Sequence, residues 1–240
     1  MKTETGQPDL CEFFNVGQDE VLGNKPCRIY PKPVQDNMQT FASFLTKAYP
    51  VVQLILDALD AQLGLPNGKL ASLQPRHQLS GTVVRMIRYP PQSLEHGRTS
   101  LVGHTDYGTI TLLCNVLGGL QILPPGATDE AANWRYVKPE PNCVIVNLGD
   151  AMVTWTGEIL RSNMHRVTFA PGKQGKCPRY SVAYLIRPER NVPMKRLVGG
   201  YIPSAAEDGE EESALSANEW EIRKATALTN GSDCAKSRGG

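Results

Sequence analysis

The sequence predicts a mainly β fold, a double-sheet jelly roll with helices flanking it on the N- and C-terminal sides. Three observations carry that prediction. From Val83 to Ile186 the hydrophobic period is 2, the signature of strands half-buried on one face. Turn signals cut this stretch into eight short strand candidates, a number and length that suit two packed antiparallel sheets. On either side of it the pattern turns helical or polar.

Residues 1–36 are polar and rich in turn formers, with one strand-like piece at Leu10–Val16. Asn37 is placed to cap a helix running to about Leu63, whose apolar face is Phe41, Phe44, Leu45, Val52, Ile55, Leu56 and Leu59. Pro50 is expected to break or kink it after Ala48, because proline lacks the N–H and clashes with the preceding turn. Gly64 and Pro66 end it. The strand candidates are Thr82–Tyr89, Leu101–Asp106, Thr109–Asn115, Leu120–Leu123, Trp134–Val137, Cys143–Leu148, His165–Phe169 and Arg179–Ile186. Between them lie Pro90-Pro91, Gly118-Gly119, Pro124-Pro125-Gly126, Pro139–Asn142, Gly149-Asp150 and Pro171-Gly172. Beyond Pro188 the pattern loosens. Ala206–Glu212 reads as an acidic, mobile run, and Ser216 as the cap of a helix over Ala217–Leu228. The expected organisation is therefore a remnant and linker over 1–36, a helix plus jelly roll over 37–200, and a helix and tail over 201–240. There is no internal repeat.

Charge and composition exclude several classes. With 25 basic and 24 acidic residues in 240, net charge +1, no electrostatic footprint for nucleic acid or an anionic membrane is present. The most apolar segment, Val51–Leu65, is interrupted by Asp57, Asp60 and Gln62, so no bilayer span is expected. The first ten residues lack the apolar core of a secretory signal. Six cysteines are scattered without a C-x-x-C pair, which argues against disulfides and zinc knuckles and for a reducing, cytoplasmic location. Cys114 and Cys143 sit in apolar runs, where a free cysteine acts as a small hydrophobe. No obligate protein partner is evident; a small-molecule substrate is expected.

The chemistry concentrates in Leu101–Leu113, LVGHTDYGTITLL. On a strand, residues two apart share a face, so His104 and Asp106 present an imidazole and a carboxylate together. His165, in SNMHRVTF, is the best third ligand. Two histidines and one carboxylate suit Fe(II) and leave coordination positions open. Either histidine alone would be an ordinary core or surface residue; the ordered set makes the metal reading. His77 and His96 lie in polar loops and read as solvated. Arg166 faces away from its neighbour His165 and reads as structural, and Asp150 reads as a turn residue.

In order, RYPP, HTDYGTITLL, GGLQIL, NLGDAM, MHRV and RYSVAYLIRP resemble the isopenicillin-N-synthase-like branch of the Fe(II)/2-oxoglutarate-dependent oxygenases, from about Val83 to Pro188. The resemblance implies a double-stranded β-helix with His104, Asp106 and His165 as iron ligands. It implies that Arg179 and Ser181 hold the distal carboxylate of 2-oxoglutarate and that the Tyr89 hydroxyl reaches the same co-substrate. With Fe(II), 2-oxoglutarate and O2, such a protein is a dioxygenase that hydroxylates, desaturates or cyclises a small organic molecule. The alternatives are an iron oxidase that does not use 2-oxoglutarate, as isopenicillin N synthase, or a shortened, non-catalytic binding form. Ile87 stands where plant relatives carry asparagine, the loop from Val167 to Pro178 is a few residues long for the family, and only the last piece of the family's N-terminal region is matched. The GGLQILPPG and NWRYVKPEPNCVIVNLGD stretches look most like filamentous-fungal members, many of them enzymes of secondary metabolism.

Arg85 shares a strand face with Val83, Ile87 and Tyr89. If Tyr89 points into the roll, so does Arg85, and a buried guanidinium needs a partner. Asp57 or Asp60 is one candidate; an anionic or carbonyl group of the substrate is the other.

Overall fold

Two antiparallel sheets enclose the site. The larger has the order β1-β2-β9-β4-β7, with β1 at Glu12–Gly17, β2 at Val83–Tyr89, β4 at Ile110–Asn115, β7 at Ile145–Leu148 and β9 at Arg179–Ile186. The smaller has the order β3-β8-β5-β6, formed by Leu101–His104, His165–Val167, Leu120–Ile122 and Arg135–Tyr136. This is the jelly roll that the period-2 pattern predicts. The computed structural model describes residues 10–91, 99–204 and 215–230. His96, Cys234 and the acidic run Ala206–Glu212 lie outside them.

Register explains how the larger sheet serves two purposes. Val84, Tyr184 and Leu112 are cross-strand partners on one face, and all three are buried in the main core. Covering that face is the long helix α3 (Met38–Leu63), which follows two four-residue helices, α1 (Gln18–Val21) and α2 (Lys32–Gln35). Leu45, Ala48, Val52, Leu56 and Leu63 of α3 join the same cluster, and Phe44 meets the Tyr184 ring edge-on at 6.0 Å. The opposite face of the sheet, one residue out of phase, looks inward: Asn15, Arg85, Ala183 and Leu113 form one row across it.

Several expectations need correction. Pro50 does not break α3, which runs through it. Pro50 is on the exposed side of the helix, where water can take the place of the missing N–H donor, while the buried contacts of Ala48 and Val52 continue across it. Asp60, which interrupts the apolar segment, does not reach Arg85. It is fully buried, and its carboxylate accepts the Leu70 N–H at 3.1 Å in α4 (Lys69–Ser72). Asp150 is not a simple turn residue either: it opens α5 (Asp150–Trp155), is buried, and accepts from Lys224 Nζ at 2.8 Å. Cys114 and Cys143 are exposed rather than packed; Cys114 faces out near the end of β4. Gly64 does end α3, in the left-handed conformation (φ 68°) that lacks a steric cost only for glycine.

The C-terminal helix α6 (Ala217–Asn230) starts as expected. Ser216 and Glu219 form a reciprocal capping box, Glu219 Oε2 accepting the Ser216 N–H at 2.9 Å and Ser216 Oγ accepting the Glu219 N–H at 3.4 Å. Its Ala217 and Trp220 pack into the same core as α3. Among the described residues no helix is long and apolar enough to cross a membrane.

Candidate active site

Between the sheets lies a cavity of about 440 Å³. It is lined by every residue the sequence singles out for chemistry: His104, Asp106, His165, Arg179, Ser181, Tyr89 and Arg85. Ligand atoms of His104, Asp106 and His165 all lie within 4.8 Å of one another. The two histidines are cross-strand partners on β3 and β8, with ring centroids 4.3 Å apart. Asp106 is not on a strand. β3 ends at His104, and the next residues form a loop whose backbone turns to α5: the Asp106 carbonyl accepts the Asp150 N–H at 2.8 Å. Gly149 permits that approach, since a Cβ there would stand 2.2 Å from the Gly108 carbonyl oxygen.

The ligand atoms are prepared by their neighbours. Nδ1 of His104 lies 2.8 Å from the Val102 carbonyl, and Nδ1 of His165 lies 3.0 Å from that of Asn163. A carbonyl only accepts, so each Nδ1 carries a proton, the tautomer that in a neutral ring leaves the lone pair on Nε2. Asp106 Oδ2 accepts from Thr111 Oγ1 at 2.6 Å and Asn147 Nδ2 at 2.8 Å. Oδ1 is left toward His165 Nε2, 3.9 Å away. Burial, then the neighbouring His165, pushes the His104 pKa down to about 4. Burial alone would raise that of Asp106, but His165, His104 and the two hydrogen bonds outweigh it and hold the carboxyl at about 2. At neutral pH the set therefore includes a neutral imidazole and an ionised carboxylate, the protonation states a divalent cation requires. This donor set fits a first-row metal such as Fe(II).

Elsewhere in the cavity Arg179 is buried, with Nε donating to the Gly118 carbonyl at 2.9 Å and Nη1 to Ser181 Oγ at 3.3 Å. Its Cζ stands 4.9 Å from the Tyr89 ring centroid. Nη2 is buried with no partner. An orphaned donor of a buried cation beside a hydroxyl fits an anionic oxygen of a ligand, so the residues present also suit one carboxylate of a dicarboxylic acid.

Arg85 points inward, as its strand phase requires. Neither Asp57 nor Asp60 is its partner: Nε donates to Asn15 Oδ1 at 2.8 Å, and the guanidinium stacks on Phe13 at 4.6 Å. Burial lowers its pKa from the ordinary value. Arg166 turns away from the cavity, as expected, donating to Gln121 Oε1 and stacking on Trp134. His77 is exposed. Thr111 and Asn147, which grip Asp106, were not singled out by the sequence, nor was Arg161 on the cavity wall. Asn147 carries the one usable signal, a lone amide inside the apolar run VIVNL.

A jelly roll with two histidines and an aspartate converging inside its cavity defines a class, the β-roll proteins able to hold a single metal ion. The family is narrower. Residues 80–188 match the 2OG-Fe(II) oxygenase superfamily. Among curated proteins it is similar to a 2-oxoglutarate-dependent dioxygenase of Aspergillus fumigatus, 29% identical over 94% of this chain and 63% of that protein. It is also similar to the 2-oxoglutarate-dependent dioxygenase frbH of Dothideomycetidae sp., 32% identical over 85% of this chain and 62% of the relative. The chain thus spans somewhat over three-fifths of these two relatives' lengths. Among solved structures, a full-length Neurospora crassa protein in complex with alpha-KG superposes with a TM-score of 0.77 at 23% identity, covering 92% of this chain and 71% of the other. At that identity the likeness speaks for the fold.

Proposed function

We propose that the chain is an Fe(II)- and 2-oxoglutarate-dependent dioxygenase acting on a small organic molecule. One observation carries this reading: a metal-competent His104–Asp106–His165 cluster and a buried guanidinium with an unpartnered donor share a single cavity. His104, Asp106 and His165 would hold the iron. Arg179, Ser181 and Tyr89 would hold the distal carboxylate of 2-oxoglutarate, the planar guanidinium giving direction where a lysine would offer a point charge. When bound, iron, 2-oxoglutarate and O2 supply oxidative decarboxylation coupled to oxidation of a C–H bond. The chain's own task is to position and to exclude. Leu113, Leu120, Ile122 and Val167 make the walls apolar and limit water, and Arg85 offers its terminal nitrogens to an anionic or carbonyl group of the substrate.

The order of motifs favours the isopenicillin-N-synthase-like branch, and the fungal relatives favour a role in secondary metabolism. Five free thiols among the described residues favour a reducing, cytoplasmic setting. The test is oxygen uptake and succinate formation by Fe(II)-loaded protein, with and without 2-oxoglutarate, across a panel of small organic acids, phenols and heterocycles. Succinate formed in step with oxygen consumed is expected. Uptake indifferent to 2-oxoglutarate would move the reading to an iron oxidase, and a melting shift without any turnover would move it to a binding protein.

A further inference from the structure

Asp106 sits in a loop, so no strand ladder fixes it. Its two sequence neighbours are instead tied to the same distant element. On one side the Thr105 hydroxyl donates to Asp150 Oδ2 at 3.2 Å, and that oxygen also accepts from Lys224 Nζ at 2.8 Å. On the other side the Tyr107 hydroxyl accepts from Arg187 Nη2 at 2.8 Å, with the guanidinium stacked over the ring at 4.6 Å. Arg187 Nε in turn lies 2.8 Å from Glu221 Oε1. Lys224 and Glu221 are three apart on α6, hence neighbours on one helix face.

We propose that Glu221 and Lys224 are positioning residues, and that α6 clamps the metal-ligand loop from both flanks to set the orientation of the Asp106 carboxylate. The inference rests on the metal reading of the site and goes beyond it by making a C-terminal helix part of the metal scaffold. The relays are built to hold. Asp150 is 4% exposed, and the Arg187 and Glu221 side chains are 14% and 17% exposed, so both relays run through largely enclosed charges, which water screens weakly. Trp220, the residue just before Glu221, is buried and anchors the helix in the core. Gly81 makes room for Glu221: a Cβ there would lie 2.3 Å from its Oε2. A ligand carboxylate free to rotate would lose orientational entropy on binding metal; one held by its flanks has already lost it.

The test is Co(II) titration of the full chain, followed by the visible absorption spectrum, beside the melting temperature of the metal-free protein. Lys224→Met and Glu221→Gln should each weaken Co(II) by about 3–10-fold, below the 10–100-fold typical of groups that touch a ligand directly, and should alter the absorption bands. Lys224→Arg, which keeps the charge, should stay near the parent. Lys224 is the milder site, its side chain being 36% exposed, so its variants keep the test informative if Glu221→Gln fails to fold. Variants that lose melting temperature, or nothing at all, yet bind Co(II) with the parent's affinity and spectrum would overturn the clamp. A parent chain that binds no Co(II) would overturn the reading of the site itself, and the clamp with it.

Discussion

Arg179→Lys is the sharpest perturbation the cavity allows. The parent guanidinium spends Nε on the Gly118 carbonyl and Nη1 on Ser181, and keeps Nη2 buried and unpartnered. Lysine preserves the charge but has one nitrogen, so it cannot serve Gly118 and Ser181 and still present a directed donor to a carboxylate. The expected loss is one charge-assisted hydrogen bond, about 1.5–3 kcal/mol, which is roughly 10–150-fold in the dissociation constant of 2-oxoglutarate. Ser181→Ala removes a neutral hydroxyl and should cost about 0.5–1.5 kcal/mol. The assay is anaerobic calorimetric titration of 2-oxoglutarate into Co(II)-loaded protein. Metal affinity and melting temperature serve as controls, because the metal cluster does not include Arg179. If Arg179→Lys with intact metal binding takes up 2-oxoglutarate within two-fold of the parent, the co-substrate is held elsewhere and the reasoning fails.

Thr111→Val and Asn147→Leu each release Asp106 Oδ2 from a donor, and each should weaken metal binding about 10–100-fold while melting temperature moves little; a titration with Co(II) checks this. Arg85→Gln should raise the apparent substrate KM strongly and leave 2-oxoglutarate and metal affinities as they are, and a fall in melting temperature with unaltered kinetics would make the residue structural. Glu20 accepts from Arg28 and Tyr30 and neighbours Lys25. Burial opposes its charge, but these partners prevail and lower its pKa. Its contribution to stability is therefore present above the unfolded carboxyl pKa of about 4.3 and is lost as pH falls below it. Urea unfolding of Glu20→Gln should show the deficit at pH 7 shrinking toward pH 3.

What could be read from the sequence was what depends on local period. Strand phase put Arg85, Ile87 and Tyr89 on one face, and motif order assembled His104, Asp106, His165, Arg179 and Ser181, which all line one cavity. What escaped depends on contacts distant in sequence. Thr111 and Asn147 meet Asp106 because β4 and β7 pair in one register, which neither strand encodes alone. Asp150 reads as turn chemistry until Lys224, far along the chain, comes to rest on it. Pro50 and Cys114 misled for a shared reason: the local pattern marks apolar positions, but which side of an element meets solvent is decided by what packs on it.

The central claim is a single metal centre made by three side chains. The most direct measurement is metal stoichiometry, by anaerobic titration with Fe(II) and with Co(II) or Ni(II), whose affinity for such sites rises along that series. The account predicts one ion per chain in the parent and none in a His104→Ala/His165→Ala double variant that keeps its fold by circular dichroism. Stoichiometric binding by that double variant would contradict it.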